Sequence, residues 1–166
     1  MARKKLVPDP APRPPEPSDV GTIDGIVKAL LESLSFTIGS QPDYNRLRTL
    51  FHPQCRIIPP RDEKETQSEV MELEVYIRQW VESIVFTGLE RKGLIIKEIA
   101  RRIQSYGSIG QVFITFKGNH APNDPDPVQR GIYSVQLLRE KQRWYILSLT
   151  WDIERQNSPI PRAYLI

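Results

Sequence analysis

The sequence has one cysteine, Cys55, and two histidines, His52 and His120, in 166 residues. A lone thiol closes no internal disulfide, which excludes a disulfide-stapled scaffold. His52 precedes Cys55 by three positions, but no second pair of ligands follows to complete a zinc site. No apolar run approaches the roughly 18 residues of a membrane span, and no lipid-anchor motif is present. The opening MARKKLVPDPAPRPP is basic but lacks the apolar stretch of a secretory signal. A cytoplasmic protein without a membrane partner is expected.

Phosphate-binding and nucleophile motifs are missing too. There is no G-x-G-x-x-G, no P-loop and no G-x-S-x-G elbow, and GSIG at 107–110 reads as a hairpin turn. The stretch holding Asn123, Asp124 and Asp126 lacks the spacing, glycine and closing glutamate of an EF-hand calcium loop. No metal and no cofactor are expected. Net charge is +3, and four cations against two anions before residue 18 supply +2 of it. The body is therefore near neutral, without the basic stripe of a nucleic-acid binder, so no nucleic-acid partner is expected.

What is present divides the chain in two. Prolines 8, 10, 12, 14, 15 and 17 fix φ and remove backbone donors where few large apolar residues stand, which predicts a disordered proline-rich tail over 1–18. Residues 19–166 read as one domain, long enough to bury one core.

Ile23, Ile26, Val27, Leu30, Leu31 and Leu34 recur at three- and four-residue spacing, predicting an amphipathic helix capped by Ser18 or Thr22. After the Gly39–Pro42 break, Asp43 caps a short second helix carrying Tyr44, Leu47 and Leu50. Cys55 to Ile58 is a brief strand stopped by Pro59 and Pro60. Thr66 and Glu69 have capping-box spacing, ahead of a third helix with Leu73, Tyr76, Ile77, Trp80, Val81 and Ile84 on one face.

Beyond Gly88 the apolar period shortens toward two in four runs: about Leu94 to Tyr106, Ile109 to Phe116, Val128 to Arg139 and Arg143 to Ile153. Gly107 and Ser108 close the first hairpin and Glu140 to Gln142 the last. The fold class expected is α+β, a curved antiparallel sheet covered by three N-terminal helices, with SPIPRAYLI trailing along the surface.

The order helix, helix, short strand, helix, long strands, with LRTLFHPQCRIIPP before the third helix, resembles the nuclear transport factor 2-like superfamily from about residue 20 to the end. SYGSIGQVF, QRGIYSVQLL, RWYILSLTWDIER and SPIPRAYL look like one bacterial branch of it. The resemblance implies a sheet bent into a cone whose mouth holds a small apolar molecule. It spans steroid isomerases, polyketide cyclases, dehydratases, epoxide hydrolases and binding proteins, so fold does not fix chemistry. Where the isomerases carry a catalytic aspartate this chain has Pro59, and Leu34 or Ser35 stands in place of their tyrosine. Gln111 stands where a histidine is frequent in the branch. Arg130, Asp152 and Glu154 are the only set placed to imitate a hydrolase relay, and a cross-strand ion pair accounts for them as well.

The implied function is binding of a small apolar or carboxylate ligand in the cone without a recognisable catalytic group. Tyr76, Trp80, Tyr133, Ser134, Gln136, Trp144 and Trp151 are the candidate ligand contacts. The alternative is a lyase or isomerase using His52 as acid or base and Arg130 to stabilise an anion, which requires both to face one cavity. A third reading is a dimeric adaptor whose cone is filled by its own side chains. Trp144 and Ile146 alternate with Tyr145, Leu147, Leu149 and Trp151, so both faces of the last two strands read as largely apolar, which predicts a homodimer through the outer sheet face.

Overall fold

The structure, a computed structural model, describes residues 10–166. Residues 10–16 form no helix or strand, and α1 (Pro17–Val20) starts one residue before the expected end of the tail. The rest of that tail, residues 1–9, lies outside the described residues. In α2 (Ile23–Leu34) the Thr22 hydroxyl accepts the Gly25 N–H at 2.9 Å, and Ile26, Val27, Leu30, Leu31 and Leu34 are buried. Asp43 caps α3 (Tyr44–Leu50) by accepting from Arg46 N at 3.0 Å. Among the described residues no helix is long and apolar enough to cross a membrane.

From α3 the chain passes directly into β1 (Phe51–Ile58), which is longer than the strand expected from Cys55. The predicted capping box does not form. Met71 and Ile57 exchange backbone hydrogen bonds of 2.8 and 2.9 Å, which keep the chain extended at Met71, so α4 begins only at Leu73 (Leu73–Phe86). Glu69 accepts instead from Gln79 Nε2 at 3.0 Å.

Four long strands follow: β2 (Ile95–Tyr106), β3 (Ile109–Asn119), β4 (Gln129–Glu140) and β5 (Arg143–Ile153). The open, curved sheet has the order β1-β5-β4-β3-β2. Its hairpins are antiparallel, but β1 runs parallel to β5, so the sheet is mixed rather than antiparallel throughout. Lys141 and Gln142 turn the last hairpin with φ of 52° and 63°.

A bulge in β5 corrects the reading of two apolar faces. Gln136 pairs with Ser148 and Leu137 with Ile146, which leaves Leu147 without a partner. The extra residue shifts the side-chain phase by one. Trp144 and Ile146 before it, and Leu149 and Trp151 after it, therefore share the inner face, where the helices pack. The outer face of β5 carries Tyr145, Ser148, Thr150 and Asp152.

The chain's own C-terminal stretch crosses part of the outer face. Thr115 donates its hydroxyl to the Tyr164 carbonyl, Phe113 and Tyr164 rings meet at 5.6 Å, and Arg102 donates to the carbonyls of Ala163 and Ile166. A 3₁₀ turn, Arg162–Tyr164, interrupts that otherwise irregular segment.

Candidate functional site

A cavity of about 620 Å³ opens between α4, the end of α2, the inner faces of β4 and β5, and the loop after β1. Its volume lies in the 300–1,000 Å³ range of small-molecule sites. Tyr76 and Trp80 stand four residues apart and share one face of α4. Opposite them, Tyr133 and Trp151 are cross-strand partners on β4 and β5. The Trp151 ring lies 5.6 Å from both Tyr76 and Tyr133, and Phe116 stacks on Tyr133 at 4.3 Å. Gly131 makes that stack possible, because a Cβ there would stand 2.9 Å from the Phe116 ring.

The electrostatics of this wall are those of neutral donors. Burial pushes the Tyr76 and Tyr133 phenols far above their ordinary pKa, so both stay protonated. Trp80 lines the cavity, and its indole Nε1 is buried without a hydrogen-bond partner among the described residues. A buried donor left unpaired costs about 1–3 kcal/mol, and this N–H, closed off among packed side chains, does not face the open space. The charged lining residues are Arg61, Asp62 and Arg155, which sit on the loop after β1 and just beyond β5.

Four of the seven candidate contacts, Tyr76, Trp80, Tyr133 and Trp151, thus meet in one cavity. Trp144 is buried elsewhere, beside Gly110 near Ile23 of α2. Ser134 and Gln136 fall on the outer face, paired with Phe113 and Gln111 of β3. Gln111 and Gln136 belong to an amide row with Gln104 on that face, so the Gln111 position does not border the cavity. Leu34 and Pro59 do border it, and they present only apolar surface.

His52 and Arg130 do not face one cavity. His52 Nε2 lies 3.5 Å from Glu140 at the end of β4, whereas Arg130 stands at that strand's beginning and pairs with Glu154 at 2.7 Å. Ten residues of extended strand place these ends about 30 Å apart. Asp152 pairs with Arg155 at 3.0 Å rather than with Arg130, so the hydrolase-like set is divided between two ion pairs. Among the described residues no three His, Cys, Asp or Glu side chains gather as a metal site requires. Arg155 is the cavity residue that local sequence pattern did not mark, because it follows the last strand and reaches back across 94 residues to Arg61.

No family model and no curated protein matches the sequence. Solved structures do match it in shape. A putative ketosteroid isomerase from Parabacteroides distasonis is 16% identical and superposes with a TM-score of 0.55 over 82% of this chain and 91% of its own. An NTF2-like protein with a cystatin-like fold from Novosphingobium aromaticivorans gives 0.55 at 10% identity, over 85% and 84% of the two chains. A hexachlorocyclohexane dehydrochlorinase from Novosphingobium barchaimii gives 0.54 at 10% identity, over 80% and 84%. The chain has the nuclear transport factor 2-like fold. At these identities the likeness concerns architecture, and the NTF2-like cone hosts proteins with different chemistries.

Proposed function

We propose that this protein is a cytoplasmic binding protein that holds a small, largely apolar ligand in its cone without turning it over. The observation that carries the reading is a cavity of about 620 Å³ walled by Tyr76, Trp80, Tyr133 and Trp151. A ligand with an apolar body and one uncharged hydrogen-bond acceptor suits it, with the protonated Tyr76 and Tyr133 phenols as the donors. A carboxylate is less suited to the inner wall, where Tyr76 and Tyr133 supply neutral donors, than to the mouth, where Arg61 and Arg155 stand. The separation of His52 from Arg130 favours this reading over the lyase or isomerase alternative, which needs both at one cavity.

Native mass spectrometry of freshly purified protein, followed by denaturation, tests this reading. A stoichiometric apolar small molecule is the expected result. In its absence, the wild-type protein is expected to bind 2-acetylnaphthalene about tenfold more tightly than 2-ethylnaphthalene, the two differing by the acceptor. Failure to carry a ligand and to bind either probe would overturn it.

In this reading a second copy packs on the outer sheet face, where Ile109 is 60% exposed and Phe113 and Leu147 remain partly open. Sedimentation velocity at micromolar concentration is expected to show a dimer that Ile109→Lys splits. A wild-type monomer would remove this part.

A further inference from the structure

The loop between β1 and α4, residues 59–70, forms one wall of the cone and one wall of a second space. That second space is a groove of about 780 Å³ on the other side, and Pro59, Pro60, Arg61, Asp62, Trp151 and Arg155 line both. Moving the loop would join the cone to the groove and widen its mouth.

The loop is held at its base and little elsewhere. The two hydrogen bonds between Ile57 and Met71 clamp its stems together. Between them, all ten residues from 61 to 70 are exposed, and the largest apolar one, Val70, is 58% exposed. Pro59 and Pro60 have no N–H to offer the sheet. Arg61 Nη1 donates to Thr66 O and Glu65 N to Asp62 O, but those bonds stay inside the loop. Near its far end Gln79 reaches Glu69 at 3.0 Å. Over the mouth, the tie to the body among the described residues is Arg155, whose Nη2 donates to the Arg61 carbonyl at 2.9 Å.

Arg155 is itself fixed from behind. Its Nη1 donates to Asp152 Oδ1 at 3.0 Å and lies 3.4 Å from the Ile153 carbonyl. The planar guanidinium offers donors in two directions at once, one edge to β5 and one to the loop. An exposed loop with few ties to the body opens at low free energy, and this loop has that character. We propose that residues 59–70 are a lid over the mouth of the cone and that Arg155 is the positioning residue that latches it shut. The proposal rests on the cone being a ligand cavity and adds the route by which a ligand enters and leaves.

Two measurements on the full-length protein test it. The first needs no ligand: tryptic cleavage after Arg61, whose carbonyl is the latched group, followed by intact mass. Arg155→Ala is expected to raise the cleavage rate about three- to tenfold, the population change that losing one hydrogen bond gives. Arg155→Lys, which has one ammonium where two edges are needed, is expected to fall between. Cleavage that does not accelerate, or rises only in proportion to the global unfolding constant measured in urea, overturns the latch. The second is stopped-flow binding of 2-acetylnaphthalene. Both association and dissociation are expected to quicken in Asp152→Ala, which frees Arg155 from behind at a position that lines the groove rather than the cone, with the equilibrium constant within about twofold of wild type, because a latch acts on passage rather than on the bound contacts. A changed equilibrium constant with unchanged association overturns the lid. If the wild-type protein binds no probe, the cone reading fails on that result, while the cleavage assay still decides the latch.

Discussion

Arg46 grips the Asp19 carboxylate with two parallel hydrogen bonds, Nε to Oδ2 at 2.8 Å and Nη2 to Oδ1 at 2.9 Å, and extends its third nitrogen to Glu32 at 2.8 Å. One guanidinium thereby joins α1, α3 and α2 behind the cone. Asp19 is buried, and its hydrogen bonds to Arg46 hold its pKa below the ordinary carboxylate value against the opposing effect of burial. A carboxyl with a depressed folded pKa contributes stability that is present above its unfolded pKa and is lost as pH falls through the folded value. Asp19→Asn is expected to cost about 2–3 kcal/mol at pH 7, somewhat under the range for a fully buried pair because Arg46 is partly open. It should also flatten the acid limb of the stability curve below about pH 4. Urea titrations of both proteins from pH 3 to pH 7 check this, and parallel curves would refute it.

Trp80→Phe removes the unpaired N–H while keeping an aromatic ring in the wall. The ligand-free variant is expected to melt at or above the wild-type temperature, since an unsatisfied buried donor has been removed. Its preference for 2-acetylnaphthalene over 2-ethylnaphthalene should persist, because that N–H is closed off from the cavity and Tyr76 and Tyr133 supply the donors. A preference that disappears would assign the acceptor to Trp80.

Gly131 is expected to tolerate no side chain. An alanine Cβ would stand 2.3 Å from the Asp152 carbonyl oxygen and 2.9 Å from the Phe116 ring. Overpacking of this kind costs about 1–3 kcal/mol, and contact with backbone as well as ring points to the upper end. Because Phe116 stacks on Tyr133, Gly131→Ala should also weaken probe binding. Urea midpoints and a binding titration report the two effects separately.

The last hairpin carries a conformational cost that can be relieved. Lys141 and Gln142 both adopt positive φ, which L-residues other than Asn and Asp resist and which a two-residue turn of this hand prefers to fill with Asn-Gly. The double change Lys141→Asn and Gln142→Gly is expected to stabilise by about 1 kcal/mol. Calorimetry should show a melting temperature higher by about 2–4 °C, and an unchanged value would mean that the turn is not strained.

The helices and hairpins were legible because each leaves a local mark: the Leu30, Leu31, Leu34 stripe, Asp43 at a cap, Gly107 at a turn. The cone wall was legible in the same way for Tyr76 and Trp80, which helical spacing puts side by side. What escaped was nonlocal or phase-dependent. The pairing of β1 with β5 leaves no trace in either segment. The bulge at Leu147 reversed the apparent faces of β5, and the homodimer expectation leaned on that misreading. Thr66 and Glu69 have the composition of a helix start, but the Ile57–Met71 bridge overrides local preference. Ser134 and Gln136 were assigned to the wrong side because a period of two names alternate faces without saying which is inward.

The parallel pairing of β1 with β5 also bears on biosynthesis. Phe51 pairs with Ile146, 95 positions later, and Ile58 with Thr150, 92 later. At about 5–20 residues per second, a ribosome needs on the order of 5–20 s to supply the last strand after the first. During that interval Cys55 and Ile57, both buried in the finished sheet, lack β5 beside them, and Ile57 has only the Met71 bridge. The high contact order places β1 among the last elements to dock, and makes the nascent chain, more than the mature protein, the form that needs a chaperone.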